Sequence, residues 1–263
     1  MPSAALRFSI AALLLLGIWR LGFSRPTPQR KHLPWLLLAG LFNGAGYALV
    51  YKAEESLPGS LAAVLFGTFP LMTAAVATIT KTERVALHQI LGAVISLAGI
   101  ALVFADRLAV STAQALGVVM LLCAVFCSAC YGVILKRHAG TLNPLATTAV
   151  FLCVTAVLLW VITPLFGPVE VPWPPPPRAS VAVLYLAIFG SVITFASYFY
   201  LLRRVSLMTT TTLVFVQPLI AVLVDAAFER DVVLATMTYI GMAIVLFGVL
   251  VSVAAGVWGG RKS

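Results

Sequence analysis

The sequence predicts an all-α fold: a polytopic membrane helical bundle with an inverted structural repeat and about nine transmembrane helices, each of roughly 20 apolar residues. Three observations carry that expectation. Of the 263 residues, 62% are hydrophobic and 10% charged, and mean hydropathy is +1.07, whereas soluble domains carry about 25% charged residues. Long apolar runs recur over nearly the whole length, leaving no room for a separate soluble domain. Lys and Arg fall in short clusters between those runs. Lipid leaves helices and closed barrels as the two spanning solutions. Barrel strands alternate in polarity over about ten residues, so the unbroken runs select helices.

The first span, Ser3–Trp19, has Arg7 ahead of an apolar run that ends before Pro26, a pattern also shown by signal peptides. The charge topology given below decides for a span, with Arg7 near its outer end, where it could handle protons or anions but more readily snorkels to the interface. The second, Leu33–Tyr51, presents Asn43, Tyr47 and Tyr51 on one face at i, i+4 and i+8. An amide and two phenols suit a small substrate, and they equally suit interhelical hydrogen bonds of about 0.6–2 kcal/mol. In the third, Leu57–Thr80, Phe66 and Thr73 flank Pro70 near mid-span, where a proline removes a backbone hydrogen bond and kinks the helix. The fourth, His88–Phe104, carries Gly92 and Gly99, which permit close backbone approach between helices or a homodimer face.

The fifth span, Ala115–Leu135, places Cys123, Cys127 and Cys130 on one face beside Tyr131. With Cys153 in the sixth span, Leu145–Phe166, they lack the paired spacing of a structural zinc site, so they read as small core residues and no metal is expected. Trp160 also lies in the sixth span. The seventh, Ser180–Leu202, bears a polar stripe of Ser191, Thr194 and Tyr198. The eighth, Met208–Phe228, sets Gln217 beside Pro218 near mid-bilayer, next to carbonyls freed by the kink, and holds Asp225 about one turn from its outer end. The ninth, Val232–Val253, carries Gly241 and Gly248.

Counted in alternate loops, twelve Lys and Arg lie on one side and four on the other, with Arg7 inside the first span. Six acidic residues lean to the sparse side. The positive-inside rule puts the rich side, and with it the C-terminus, in the cytoplasm. An odd number of spans then puts the N-terminus outside, two residues before the first span. That points to a preceding helix missing from this chain, or to a start assigned at an internal methionine. The longest external loop, residues 167–178, contains four consecutive prolines, which favour a stiff polyproline II spacer, and Trp173, suited to the headgroup level.

The chain also resembles itself. Tyr51, Phe69-Pro70-Leu71, Glu83-Arg84, Gly92 and Gly99 recur as Tyr200, Gln217-Pro218-Leu219, Glu229-Arg230, Gly241 and Gly248, at offsets of 149, 148, 146, 149 and 149 residues. By the charge count the matched spans run in opposite directions. Inverted repeats of this kind are the architecture of many secondary transporters, whose sites lie near the midplane. Matched prolines at Pro70 and Pro218 therefore favour a hinge or cavity role over simple packing kinks.

These stretches, with Ala4-Ala5-Leu6-Arg7-Phe8, Leu61-Ala62-Ala63-Val64-Leu65, Leu97-Ala98-Gly99-Ile100, Phe189-Gly190-Ser191 and Tyr198, resemble the EamA-type carriers of the drug/metabolite transporter superfamily. The resemblance covers nearly the whole chain. It implies ten helices in two inverted five-helix repeats with both termini cytoplasmic, the first span here corresponding to the family's second helix. Residues 1–107 then form an incomplete first repeat, and residues 113–256 the second.

The expected function is a secondary carrier for a small metabolite or drug-like solute, amino acid-like by family, working by alternating access and exporting across a bacterial inner membrane. Its partners are the bilayer and a small-molecule substrate. Cavity candidates are Gln217, Asn43, Tyr47, Tyr51, Tyr131, Thr194, Tyr198 and Phe66, and hinge candidates are Pro70 and Pro218. The basic balance shows no stripe with interleaved aromatics, so nucleic acid is not expected. There is no Gly-x-x-x-x-Gly-Lys-Ser/Thr phosphate loop. Glu54-Glu55 lacks the arginine four residues on that intramembrane CAAX-type proteases need, and His32, His88 and His138 sit in or beside interior loops. No enzyme, catalytic residue, metal or cofactor is expected. The alternative is a non-transport membrane protein: receptor-like, structural or an intramembrane enzyme.

Overall fold

The computed structural model describes residues 2–20, 30–105, 114–139, 142–166, 176–228 and 236–259. Among these, twelve α-helices follow one another: α1 (Pro2–Arg20), α2 (Leu33–Ala53), α3 (Gly59–Phe66), α4 (Phe69–Ile79), α5 (Leu87–Val103), α6 (Ala115–Ala139), α7 (Pro144–Ile162), α8 (Pro177–Ala187), α9 (Thr194–Leu202), α10 (Leu207–Thr212), α11 (Val216–Phe228) and α12 (Thr236–Gly259). Seven helical stretches among the described residues are long and apolar enough to cross a membrane, and Leu87–Val103 and Leu207–Ile220 are shorter apolar helices. The helical bundle is therefore as the sequence predicts.

Three predicted spans are not continuous helices. The third divides into α3 and α4, and Pro70 occupies the first turn of α4, where its missing N–H costs nothing. The eighth divides into α10, a 3₁₀ turn at Leu213–Phe215, and α11. The seventh contains a π-helical turn, Ile188–Ile193, between α8 and α9. The seventh span also starts earlier than predicted, because Pro177 begins α8; a proline there is preorganised for the first helical position. Trp173, Pro174 and Pro175 lie outside the described residues, as do Asp106, Arg107, Glu170, Glu229, Arg230, Asp231 and the side chain of Asp225.

The helices group into two compact units, each drawn from both halves of the sequence. Unit 1 comprises Met1–Tyr51 with Cys130–Val205, and unit 2 comprises Lys52–Ala129 with Ser206–Ser263.

In unit 1, α2 and α7 approach closely because Gly40 and Gly44 present no side chain: a Cβ at Gly40 would stand 2.7 Å from Val154 Cβ, and one at Gly44 2.9 Å from Leu158. Between them the buried Asn43 donates from Nδ2 to Thr155 Oγ1 at 3.0 Å. Trp160 Nε1 donates to Ser9 Oγ at 2.9 Å, tying α7 to α1. Asn143 caps α7, its Oδ1 accepting from Leu145 N at 2.9 Å. The Lys136 ammonium donates to the carbonyls of Leu202 and Val205 at 2.7 and 2.6 Å, placing a cation at the negative end of α9.

In unit 2, α5 and α12 are antiparallel neighbours. A Cβ on Gly92 would stand 2.6 Å from Ser252 N, and one on Gly99 2.7 Å from Val245 N. Conversely, a Cβ on Gly241 would meet Val103 N at 2.9 Å. Gly92 thus faces Gly248 and Gly99 faces Gly241. Since Gly92 matches Gly241 and Gly99 matches Gly248 at the 149-residue offset, the repeat operation maps this contact onto itself. Ser96 Oγ donates to the carbonyl of Val245, its own repeat equivalent, at 3.1 Å. Two equivalent helices crossing in opposite directions about one point are an inverted repeat. The four glycines serve packing within the chain rather than a homodimer face.

The N-terminus of α10 is held by Ser206, whose Oγ accepts from Thr209 N at 3.0 Å, and by Glu83, whose Oε2 accepts from Leu207 N at 2.9 Å. Gln89 Nε2 donates to Ser206 Oγ at 3.3 Å. An anion and a hydroxyl there satisfy amides that the helix itself leaves free.

Candidate substrate site

Unit 1 contains a cationic centre at Arg7. Arg7 lies one and a half turns into α1 and is partly buried. Its Nε donates to Ser191 Oγ at 2.8 Å, and its Nη2 donates to the Gly190 carbonyl at 2.7 Å. Both acceptors belong to the π-helical turn. A π turn bonds i to i+5 and leaves a backbone carbonyl out of the α-helical ladder, and such turns are frequent at functional sites. Gly190 also leaves room: a Cβ there would stand 3.3 Å from Arg7 Nη2. Thr194 Oγ1 donates to the Phe189 carbonyl at 2.7 Å, so this candidate's hydroxyl serves the turn itself. Arg7 is thus hydrogen-bonded within the unit.

Aromatic rings continue from the guanidinium. Its carbon lies 5.0 Å from the Phe8 ring centroid and 5.7 Å from that of Tyr47, within cation–π range. Phe8 meets Tyr47 edge-on at 4.7 Å and leads through Phe195 at 6.2 Å to Phe151, 5.4 Å further. Tyr131 packs 5.5 Å from Phe151 and 6.3 Å from Tyr198. The Tyr198 hydroxyl is buried and has no hydrogen-bond partner among the described residues. A buried polar atom left in that state is costly and asks for an external partner.

The structure therefore sets Tyr47 against Arg7 and links Tyr131 and Tyr198 to it through the rings of Phe8, Phe195 and Phe151. Tyr51 lies one turn along α2 from Tyr47. Asn43 is buried, with its amide engaged by Thr155, which makes it an interhelical bond. Thr194 is exposed. Phe66, Pro70, Gln217 and Pro218 belong to unit 2. There Phe66 packs against the cluster of Phe69, Val125 and Ala129. Gln217 is exposed in the first turn of α11, directly after the 3₁₀ turn. Sequence reasoning weighed Arg7 for proton or anion handling but preferred a boundary placement, and it did not find the partners of Arg7. The polar stripe on the seventh span pointed at its partner, but only the fold pairs residues 184 positions apart. The cysteines are free, and no group of metal-ligating side chains occurs among the described residues.

The EamA-like transporter family matches this chain over residues 1–105 and 115–254. Among curated relatives, the uncharacterized inner membrane transporter YedA of Escherichia coli strain K12 is 27% identical over 250 residues, covering 94% of this chain and 79% of YedA. The uncharacterized transporter YwfM of Bacillus subtilis strain 168 is 29% identical over 247 residues, covering 92% of this chain and 80% of YwfM. A solved crystal structure superposes with a TM-score of 0.78 over 97% of this chain and 87% of its own length, at 19% identity. At that identity it establishes the fold alone.

Proposed function

This chain belongs to the EamA-like transporter family, and on that premise we propose that it is a secondary carrier moving a small metabolite or drug-like solute, amino acid-like in the first instance, out of the cell by alternating access. The supporting observation is the cluster of Arg7, Tyr47, Tyr131 and Tyr198, a set of polar and aromatic groups inside an apolar bundle. Polar groups at that depth are expensive and mark solute pathways. The paired helix breaks in unit 2, one before Pro70 and one before Pro218, fit a carrier, since discontinuous helices form transporter sites. In this reading Pro70 and Pro218 act as hinges, Gln217 lines the pathway, residues 1–107 and 113–256 act as the two repeats, and the C-terminus faces the cytoplasm of a bacterial inner membrane.

The test is flux in membrane vesicles with a panel of labelled amino acids and cationic dyes, comparing the chain with Gln217→Ala. Saturable flux that falls at least several-fold in Gln217→Ala is expected. Folded, inserted protein that moves none of the panel would overturn the reading.

A further inference from the structure

We propose that Arg7 is an anion anchor, and that the solute it holds is an organic carboxylate whose apolar or aromatic body lies against Tyr47, Tyr131 and Tyr198. The inference rests on the carrier reading and adds the substrate's chemical class. Four observations lead to it.

The first is the donor inventory. A guanidinium carries five N–H donors in a planar fork suited to a carboxylate. Nε and Nη2 meet Ser191 and Gly190 and the Tyr47 hydroxyl stands against the fork as a third neutral partner, so these contacts do not use all five donors. The second is charge. Among the described residues Arg7 meets no carboxylate. Unit 1 holds ten Lys and Arg and a single acidic residue, Glu170, so its charge balance favours an anion. An intramembrane cation needs a partner, and here the described residues supply only neutral ones. The third is rigidity. Ser191 is fully buried, and the π turn fixes the Gly190 carbonyl, so the fork is held in one orientation before any ligand arrives, which cuts the ordering cost of binding. The fourth is the unpartnered Tyr198 hydroxyl on the same chain of rings, a hydrogen-bond group awaiting a polar atom from outside the protein.

An anion at Arg7 has two sources, a soluble carboxylate or the phosphate of a lipid. The experiment separates them. The full chain is placed in nanodiscs of phosphatidylcholine alone, and binding of 3-phenylpropionate is compared with that of its neutral isostere 3-phenylpropionamide by thermal shift and by titration calorimetry. The acid is expected to bind at least tenfold more tightly than the amide. Arg7→Gln should abolish that preference, Arg7→Lys should keep part of it, and Tyr198→Phe should weaken acid binding several-fold without lowering the unliganded melting temperature. Equal binding of acid and amide by the unmodified chain overturns the proposal without recourse to any variant. A second preparation contains phosphatidylglycerol. Stabilisation by that lipid through Arg7, with no acid binding in phosphatidylcholine, assigns the anion to the membrane and overturns the carboxylate proposal. Acid binding without flux removes the carrier reading alone, and flux of neutral solutes without acid preference removes the anchor alone.

Discussion

Asn43 and Tyr198 lie in the same unit and were equal candidates from sequence, yet their hydrogen bonding separates them. Asn43 donates to Thr155, so removing it breaks an interhelical contact. Asn43→Ala should lower thermal stability in detergent by an amount equivalent to about 0.6–2 kcal/mol while leaving substrate affinity within about twofold, well under the 1.4 kcal/mol of a tenfold change; a melting curve and a binding isotherm on one preparation check both. Loss of affinity with unchanged melting would move Asn43 into the site. Spacing put Asn43, Tyr47 and Tyr51 on one face, which was legible. Which of them has a protein partner was not, because Thr155 stands 112 positions away. The partners of Arg7 were hidden for the same reason: they come from a π turn that no periodicity signals.

At the scale of elements, the breaks carry more information than the helices. Prolines marked two of them correctly, but as starting points of new helical segments, since the chain has already left the α-helix before Pro70 and Pro218. Glycines marked the α5–α12 crossing, and here sequence symmetry had a direct physical meaning. The contact is reciprocal, so equivalent substitutions should behave alike. Gly92→Ala and its repeat match Gly241→Ala each force a methyl against opposing backbone, and each should destabilise by about 1–3 kcal/mol, the cost of overpacking. Gly17, with nothing within 4 Å of a Cβ, is the control. Folded yield after detergent extraction reads the difference; equal yields for all three variants would sink the account of the crossing.

For the whole molecule, composition and hydropathy sufficed to identify a membrane bundle, and the loop charges supply an orientation. Cysteines introduced singly at Lys81 and Arg203 into a chain lacking Cys123, Cys127, Cys130 and Cys153 should react with an impermeant maleimide only after the cells are opened. One at Glu54, on the sparse side, should react in intact cells. The reverse labelling pattern would invert the topology. Hydropathy did not reveal the division into units, since neither follows the order of the chain. Each unit takes helices from both halves, and such long-range pairing leaves no local trace.

The crossing of α5 with α12 also fixes an order in time. The glycine face of α5 stays without its partner until 149 further residues have been made, which at synthesis rates of about 5–20 residues per second is roughly 7–30 s. Throughout that interval a helix with a backbone-exposing stripe waits in the lipid. A ribosome stalled before Thr236 should leave α5 open to crosslinking with lipid or with insertion machinery, and release of the finished chain should close it.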